Sequence, residues 1–243
     1  MARNVVFLHG FTHTGASWDP VVAALGESYR ALAPDIRGHG ESSELEPVTL
    51  AAVLDDLARA APEHFTLVGY SMGGRIALHA ALAFGARIDR LVLIGASPGL
   101  ADPDARRTRR TADEDLAGEI ERSSIDEFAR RWAQTPVLAG QAPEVLAAIH
   151  TDRLRNQTAG LARALRGLGT GALSSLWDRL GGVGMPVTLV VGERDEKFQA
   201  IASEMVAALP DAEVVVVPGA GHAVHLEAPA AVAAVIAARI DSS

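Results

Sequence analysis

A short apolar run, Phe65-Thr66-Leu67-Val68, leads into Gly69-Tyr70-Ser71-Met72-Gly73, and an alanine-rich run continues from there to Phe84. Few backbones accommodate that succession. The first four residues read as a buried strand, and the run after Gly73 is rich in helix formers. A serine bracketed by glycines at this boundary marks a sharp strand-to-helix turn. The small flanking residues let the backbone crowd together and thrust the serine side chain out of the sheet. A hydroxyl is a poor nucleophile or base until a neighbouring base activates it. The five-residue pattern recurs by chance in unrelated chains; its strand-then-helix setting is what gives it weight over an incidental serine in a glycine-rich turn. Ser71 is the candidate catalytic serine.

The same alternation runs through the chain on either side. Val5 to Leu8 reads as a strand ending at His9-Gly10-Phe11, with Ser17 as cap of a helix to about Leu25 and Trp18 on its inner face. Arg30 to Pro34 reads as a second strand, and Thr49 caps a helix whose Leu50, Val53, Leu54 and Leu57 have helical spacing. Further strands are expected at Arg90 to Ile94, Pro186 to Val191 and Ala212 to Val217, with a last helix from about Pro229. Strands alternating with helices predict a mostly parallel sheet covered on both faces. Between Pro98 and Gly182 the alternation stops and amphipathic helices follow, with breaks at Pro136 and Pro143. The expected organisation is thus an α/β core over 1–97 and 183–243, with an inserted helical lid over 98–182.

Ligands of such sheets bind beyond the carboxyl ends of the strands. Ser71, Asp195 and His222 each fall in a loop just after a strand, in the order Ser, Asp, His that characterises α/β-hydrolases. His222 would take the serine proton, and Asp195 would fix the imidazole tautomer. His222 sits in the glycine-rich loop Pro218-Gly219-Ala220-Gly221-His222; His225 is the runner-up, and Glu193 the alternative acid. Structural or solvent roles suit His64, His79 and His150. Oxyanion donors are expected from the backbone N–H groups of Met72, at a helix start, and Phe11, after the first strand. Arg75 lies one helical turn beyond Ser71. A guanidinium there is costly unless paired, so it serves either a carboxylate-bearing substrate or a buried acid.

Charge and composition narrow the function classes. The 243 residues carry a net charge of −8, which disfavours nucleic acid and anionic membranes. The segment 98–182 is balanced, with about a dozen residues of each sign, the basic ones all arginines. Solvated helix faces account for most of those. The chain has no cysteine, so thiolate metal sites and disulfides are excluded. Neither metal-ligand spacing nor a phosphate-cradling glycine loop is evident, and no cofactor is expected; Gly181 to Gly184 reads as a linker. No apolar stretch approaches a membrane span, and the N-terminal apolar run is too short for a signal peptide, so a cytoplasmic protein is expected. The pattern leaves the oligomeric state open.

Four stretches carry a resemblance to a known family: Leu8 to Thr12, Gly69 to Arg75, Gly192-Glu193-Arg194-Asp195-Glu196-Lys197-Phe198, and Leu154 to Ala162 continuing to Leu168-Gly169-Thr170-Gly171. Over its whole length the chain resembles the α/β-hydrolase superfamily. More narrowly, it looks like the 2-succinyl-6-hydroxy-2,4-cyclohexadiene-1-carboxylate synthases of menaquinone biosynthesis. The resemblance implies a lyase that eliminates pyruvate from a tricarboxylate, with Ser71 acting as a base and no acyl-enzyme formed. It also implies substrate-binding roles for Arg75, Arg155 and, more loosely, Arg109, and pocket positions for Trp132 and Tyr70. A small-molecule carboxylesterase or carbon–carbon bond hydrolase with the same triad is the alternative, and a non-catalytic ligand receptor a third reading. Two departures stand out. The hairpin that opens many relatives is absent, which predicts a sheet of about six strands. Ala172-Leu173-Ser174-Ser175 replaces the Gln-Pro-Ser that relatives often carry after Gly171.

Overall fold

The computed structural model describes residues 3–135, 138 and 140–241. Among them six strands, β1 (Arg3–Leu8), β2 (Tyr29–Leu32), β3 (Phe65–Tyr70), β4 (Ile88–Ile94), β5 (Val187–Gly192) and β6 (Ala212–Val217), form one sheet. Its order is β2-β1-β3-β4-β5-β6, and every neighbouring pair is parallel. In chain order the helices are α1 (Asp19–Leu25), α2 (Leu50–Ala60), α3 (Met72–Phe84), α4 (Pro103–Glu121) and α5 (Ile125–Trp132). They continue with α6 (Pro143–Arg153), α7 (Thr158–Leu168), α8 (Glu196–Ala208), α9 (Val224–Glu227) and α10 (Pro229–Asp241). No helix among the described residues is long and apolar enough to cross a membrane.

A parallel sheet with helices on both faces needs strands that are apolar throughout, and every residue of β3 and of β5 is buried. Because successive side chains point to opposite faces, each strand feeds two cores. Val6, Leu8, Leu67, Leu91 and Leu189 pack with Val53 and Leu57 of α2, Ile76 of α3 and Met205 of α8. Val5, Phe7, Val68, Val92 and Val190 face the other way, onto Val21 of α1 and Val232 and Ile236 of α10. From β1 the chain moves outward to β2 and then crosses back to β3 on the other side of β1. The switch point therefore lies between β1 and β3, where their carboxyl ends leave a crevice.

Helices α4 to α7 separate β4 from β5 and carry a small core of their own, formed by Ala117, Ile120, Phe128, Leu161, Ala162 and Leu165. Phe11, from the loop after β1, packs against that core and so joins the insertion to the crevice. Local signals set the helix starts. Ser124 and Glu127 form a reciprocal capping box at α5, and Pro143 occupies the first turn of α6, where its missing N–H is no loss. The break expected at Pro136 lies outside the described residues. Thr49 caps α2 as expected, accepting the Ala52 N–H.

The expected Ser17 cap is replaced by another arrangement. Thr14 caps a 3-10 turn, Gly15–Trp18, and the Ser17 hydroxyl donates back to the Thr14 carbonyl at 2.7 Å. Helix α1 then begins at Asp19 with proline in its first turn, while Trp18 is fully buried.

Candidate active site

The strand-to-helix turn at Ser71 is as sharp as its sequence implies. Ser71 has φ 50° and ψ −108°, a left-handed backbone that costs a non-glycine residue of order 1–3 kcal/mol and persists only where its surroundings enforce it. Enforcement comes from both sides. The Ser71 N–H donates to the Ile94 carbonyl at the end of β4 (2.9 Å), and its carbonyl accepts the Arg75 N–H (3.1 Å). Gly73 allows the first turn of α3 to press on the end of β1: a Cβ there would lie 2.2 Å from the Leu8 carbonyl oxygen and 2.5 Å from that of His9. Any side chain at 73 would lift the serine away from β1.

Two further strand ends deliver the groups that address this hydroxyl. His222, after β6, places Nε2 3.3 Å from Ser71 Oγ and Nδ1 2.7 Å from Asp195 Oδ2. Asp195 follows β5 as the N-cap of α8, and its other oxygen accepts the Phe198 N–H at 3.3 Å. Both carboxylate oxygens are thus engaged, which fixes the plane in which Asp195 meets the imidazole. With Nδ1–H donating to Asp195, the imidazole presents an unprotonated Nε2 to the serine hydroxyl. The alternatives fall elsewhere. Glu193 accepts the Gly219 N–H at 2.8 Å, and His225 is fully buried, with ring centroids 4.2 Å from Tyr70 and 4.6 Å from Trp18.

The N–H of Met72 opens α3, where first-turn N–H groups lack an intrahelical acceptor. Phe11 and Thr12 are the central residues of a turn closed by the His13 N–H on the Gly10 carbonyl (3.2 Å). That turn lies against the serine: a Cβ built on Gly10 would sit 3.6 Å from Ser71 Cβ.

Around this centre the arginines divide by their partners. Arg75 is buried, 7% exposed, and no acid among the described residues pairs with it; its Nε has no hydrogen-bond partner at all. Burial lowers its pKa to about 10, with Arg109 pushing the same way and Asp113 opposing. Arg109 is spoken for, donating from Nε to Asp113 Oδ1 at 2.7 Å, and Asp113 also accepts the Gly171 N–H at 3.1 Å. Arg155 does not join the site. Its side chain is 60% exposed, 4.0 Å from Asp152, on a separate surface crevice shared with Thr14, Asp35 and Glu41.

Arg153, which sequence reasoning missed, is the buried one. It is 2% exposed, donates from Nε to the Thr12 hydroxyl at 3.2 Å, and leaves Nη2 without a partner. Burial lowers its pKa to about 10, offset by the Tyr70 phenol and Asp152 nearby. Tyr70 is buried between His222 and His225, and burial raises its pKa. The Trp132 ring meets Phe11 edge-on at 5.4 Å, over the loop after β1.

The remaining histidines carry structural work. His9 accepts the Ile36 N–H at 2.9 Å, and burial lowers its pKa from 6.5 to about 4; burial also lowers those of His39 and His225. His64 and His150 lie nearer the surface, beside Asp89 and Asp126. A group protonated less readily folded than unfolded gives stability that is full above the unfolded pKa and lost as pH falls toward the folded one. The expected result is an unfolding free energy that drops by a few kcal/mol between about pH 6.5 and pH 4. Urea midpoints at pH 7 and pH 5 measure it, and equal midpoints would contradict this reading of His9.

Comparison with known proteins fits this geometry. The sequence model of the alpha/beta hydrolase family matches residues 5–235. A Bacillus subtilis (strain 168) protein provisionally named 2-succinyl-6-hydroxy-2,4-cyclohexadiene-1-carboxylate synthase is 38% identical, over 94% of this chain and 86% of that protein. The enzyme of that name from Enterobacter sp. (strain 638) is 35% identical over 96% of this chain and 90% of its own length. Among solved structures, MenH from S. aureus superposes with a TM-score of 0.92 at 29% identity, covering 99% of this chain and 94% of that one.

Proposed function

Because this chain belongs to the alpha/beta hydrolase family and, within it, to the 2-succinyl-6-hydroxy-2,4-cyclohexadiene-1-carboxylate synthases, we propose that it catalyses the pyruvate elimination that forms that product in menaquinone biosynthesis. The observation that carries the reading is Arg75: a buried guanidinium that pairs with no acid among the described residues, one helical turn from Ser71. An ester hydrolase acting on neutral substrates has no use for it. A substrate with three carboxylates supplies the missing counter-charge through a two-pronged pair. Arg153 offers a second such site through its unpartnered Nη2. In this reading α4 to α7 act as a lid over the crevice, with Trp132 and Tyr70 as apolar walls; Arg109 supports the field around Arg75 from its pair with Asp113.

The chemistry uses Ser71 as a relay base. His222 Nε2 draws the hydroxyl proton as Ser71 Oγ removes the ring proton next to the succinyl carbonyl, and Asp195 stabilises the imidazolium that results. Charge that collects on the succinyl oxygen is met by the N–H groups of Phe11 and Met72. The electron pair then moves into the ring, the ring alkene shifts by one bond, and the carbon–oxygen bond to the enolpyruvyl group breaks. The departing enolate takes up a proton and leaves as pyruvate. Serine attacks no carbonyl and water takes no part, so no acyl-enzyme forms. The purified protein incubated with 2-succinyl-5-enolpyruvyl-6-hydroxy-3-cyclohexene-1-carboxylate is expected to release one pyruvate per substrate at a catalytic rate. No release would overturn the reading.

A further inference from the structure

The loop that carries the Phe11 N–H is held from outside its own strand and turn. Asp152 and Arg153 in the last turn of α6, and Asn156 just beyond it, reach it across 138 to 144 residues of sequence. Asp152 Oδ2 accepts the Thr14 N–H at 3.0 Å and the His13 Nδ1–H at 3.2 Å, and its Oδ1 accepts the Thr14 hydroxyl. Asn156 Nδ2 donates to the Thr12 carbonyl at 2.8 Å, while its Oδ1 accepts the Gly40 N–H at 3.0 Å. Arg153 Nε meets the Thr12 hydroxyl.

These contacts converge on a strained residue. Thr12 has φ 71°, a left-handed conformation that is rare for a β-branched side chain and survives only where neighbours over-determine it. The Phe11 N–H lies in the Gly10–Phe11 peptide, whose carbonyl accepts the His13 N–H at 3.2 Å, so its direction depends on the turn through Thr12 staying closed. Released, Thr12 would relax toward the extended region, break the His13–Gly10 bond and leave the Gly10–Phe11 peptide free to rotate.

We propose that Asp152 is a positioning residue for the reaction: by clamping His13 and Thr14 it holds Thr12 in its strained turn and aims the Phe11 N–H at the oxygen that becomes charged. Asp152 is 8% exposed, so its carboxylate owes its place to those three donors. Although burial alone would raise its pKa, the hydrogen bonds from His13 and Thr14 hold it at about 2, and it is ionised throughout the working range. The clamp also ties the oxyanion donor to the helical insertion, so displacement of α6 would dismantle the hole. The inference rests on the proposed use of Phe11, but the boronate arm of its test needs no pyruvate chemistry.

The test compares wild type, Asp152→Ala, Asp152→Asn and Asn156→Ala in three readouts: kcat and KM for pyruvate release, calorimetric affinity for phenylboronic acid, and affinity for the elimination product. In the boronic acid adduct Ser71 Oγ bonds to boron, its proton passes to His222, and the resulting tetrahedral boronate anion puts a hydroxyl oxygen against Phe11 and Met72. One misaimed donor costs about 10- to 100-fold. Asp152→Ala is expected to lower kcat and boronate affinity together by that factor, with KM and product affinity changed less than about threefold. Asp152→Asn keeps an acceptor for Thr14 and is expected to fall between.

Unchanged boronate affinity alongside a lower kcat would overturn the proposal, as would a rise confined to KM, which would make Asp152 a wall of the substrate pocket. Should Asp152→Ala fail to fold, Asp152→Asn and Asn156→Ala decide it, and undiminished boronate binding in both overturns it. A wild type that binds boronate but releases no pyruvate would sink the proposed function while leaving the boronate comparison to judge Asp152.

Discussion

Replacing Ser71 with alanine is expected to lower pyruvate release at least about a thousandfold, the scale at which a positioned proton acceptor contributes. Product affinity should remain within a few-fold of wild type. The split follows from the geometry: Ser71 Oγ lies 3.3 Å from His222 Nε2 at the crevice floor, while the carboxylate-binding groups are on α3 and α6. Without the hydroxyl, the imidazole is left facing a gap and reaches no ring proton. Calorimetric titration with product alongside the kinetic assay measures both halves. Loss of binding with the chemical step intact would mean that the serine shapes the pocket and that the base lies elsewhere.

Arg75 should give two effects of opposite sign. Arg75→Ala removes charge-assisted bonds to a substrate carboxylate, worth about 3 kcal/mol for a good pair, so kcat/KM is expected to fall roughly 100-fold. Arg75→Met, which fills the space and removes an unpaired buried charge, is expected to be neutral or stabilising by ~1–4 kcal/mol. At this chain length that is a rise of several degrees in Tm. Function and stability pull apart here because no acid among the described residues pairs with the guanidinium; Asp113 is taken by Arg109. A lowered Tm with an unchanged rate would instead assign Arg75 to a structural pair.

The reach of the sequence is clearest at the strand ends. Ser71, Asp195 and His222 each follow an apolar run at once, within glycine-rich loops, so short-range signals located all three and the fold brought them together. The six strands and their parallel direction follow from the same local patterns, whereas their order in the sheet does not. Arg153 and Arg155 show where such signals fail. Both lie in one short arginine-bearing stretch, and only the docking of α6 onto the loop after β1 decides which is buried. Ser17 and Thr14 are a parallel case: either could cap, and the deciding contact is Asp152, which lies 138 residues away. Tertiary contacts of that range leave no local periodicity to read. Arg75 falls between these extremes, since its position was legible from the motif but its lack of a partner required the packed structure.

The central claim is that an apparatus shared with ester hydrolases is used here to remove a proton. The most direct measurement follows pyruvate release from the enolpyruvyl substrate and hydrolysis of 4-nitrophenyl acetate on one preparation, and compares the two kcat/KM values. A preference of roughly 1,000-fold or more for elimination is expected, the combined scale of one oriented carboxylate pair and a fitted proton transfer. Rapid ester hydrolysis without pyruvate release would contradict it and leave Ser71 a nucleophile.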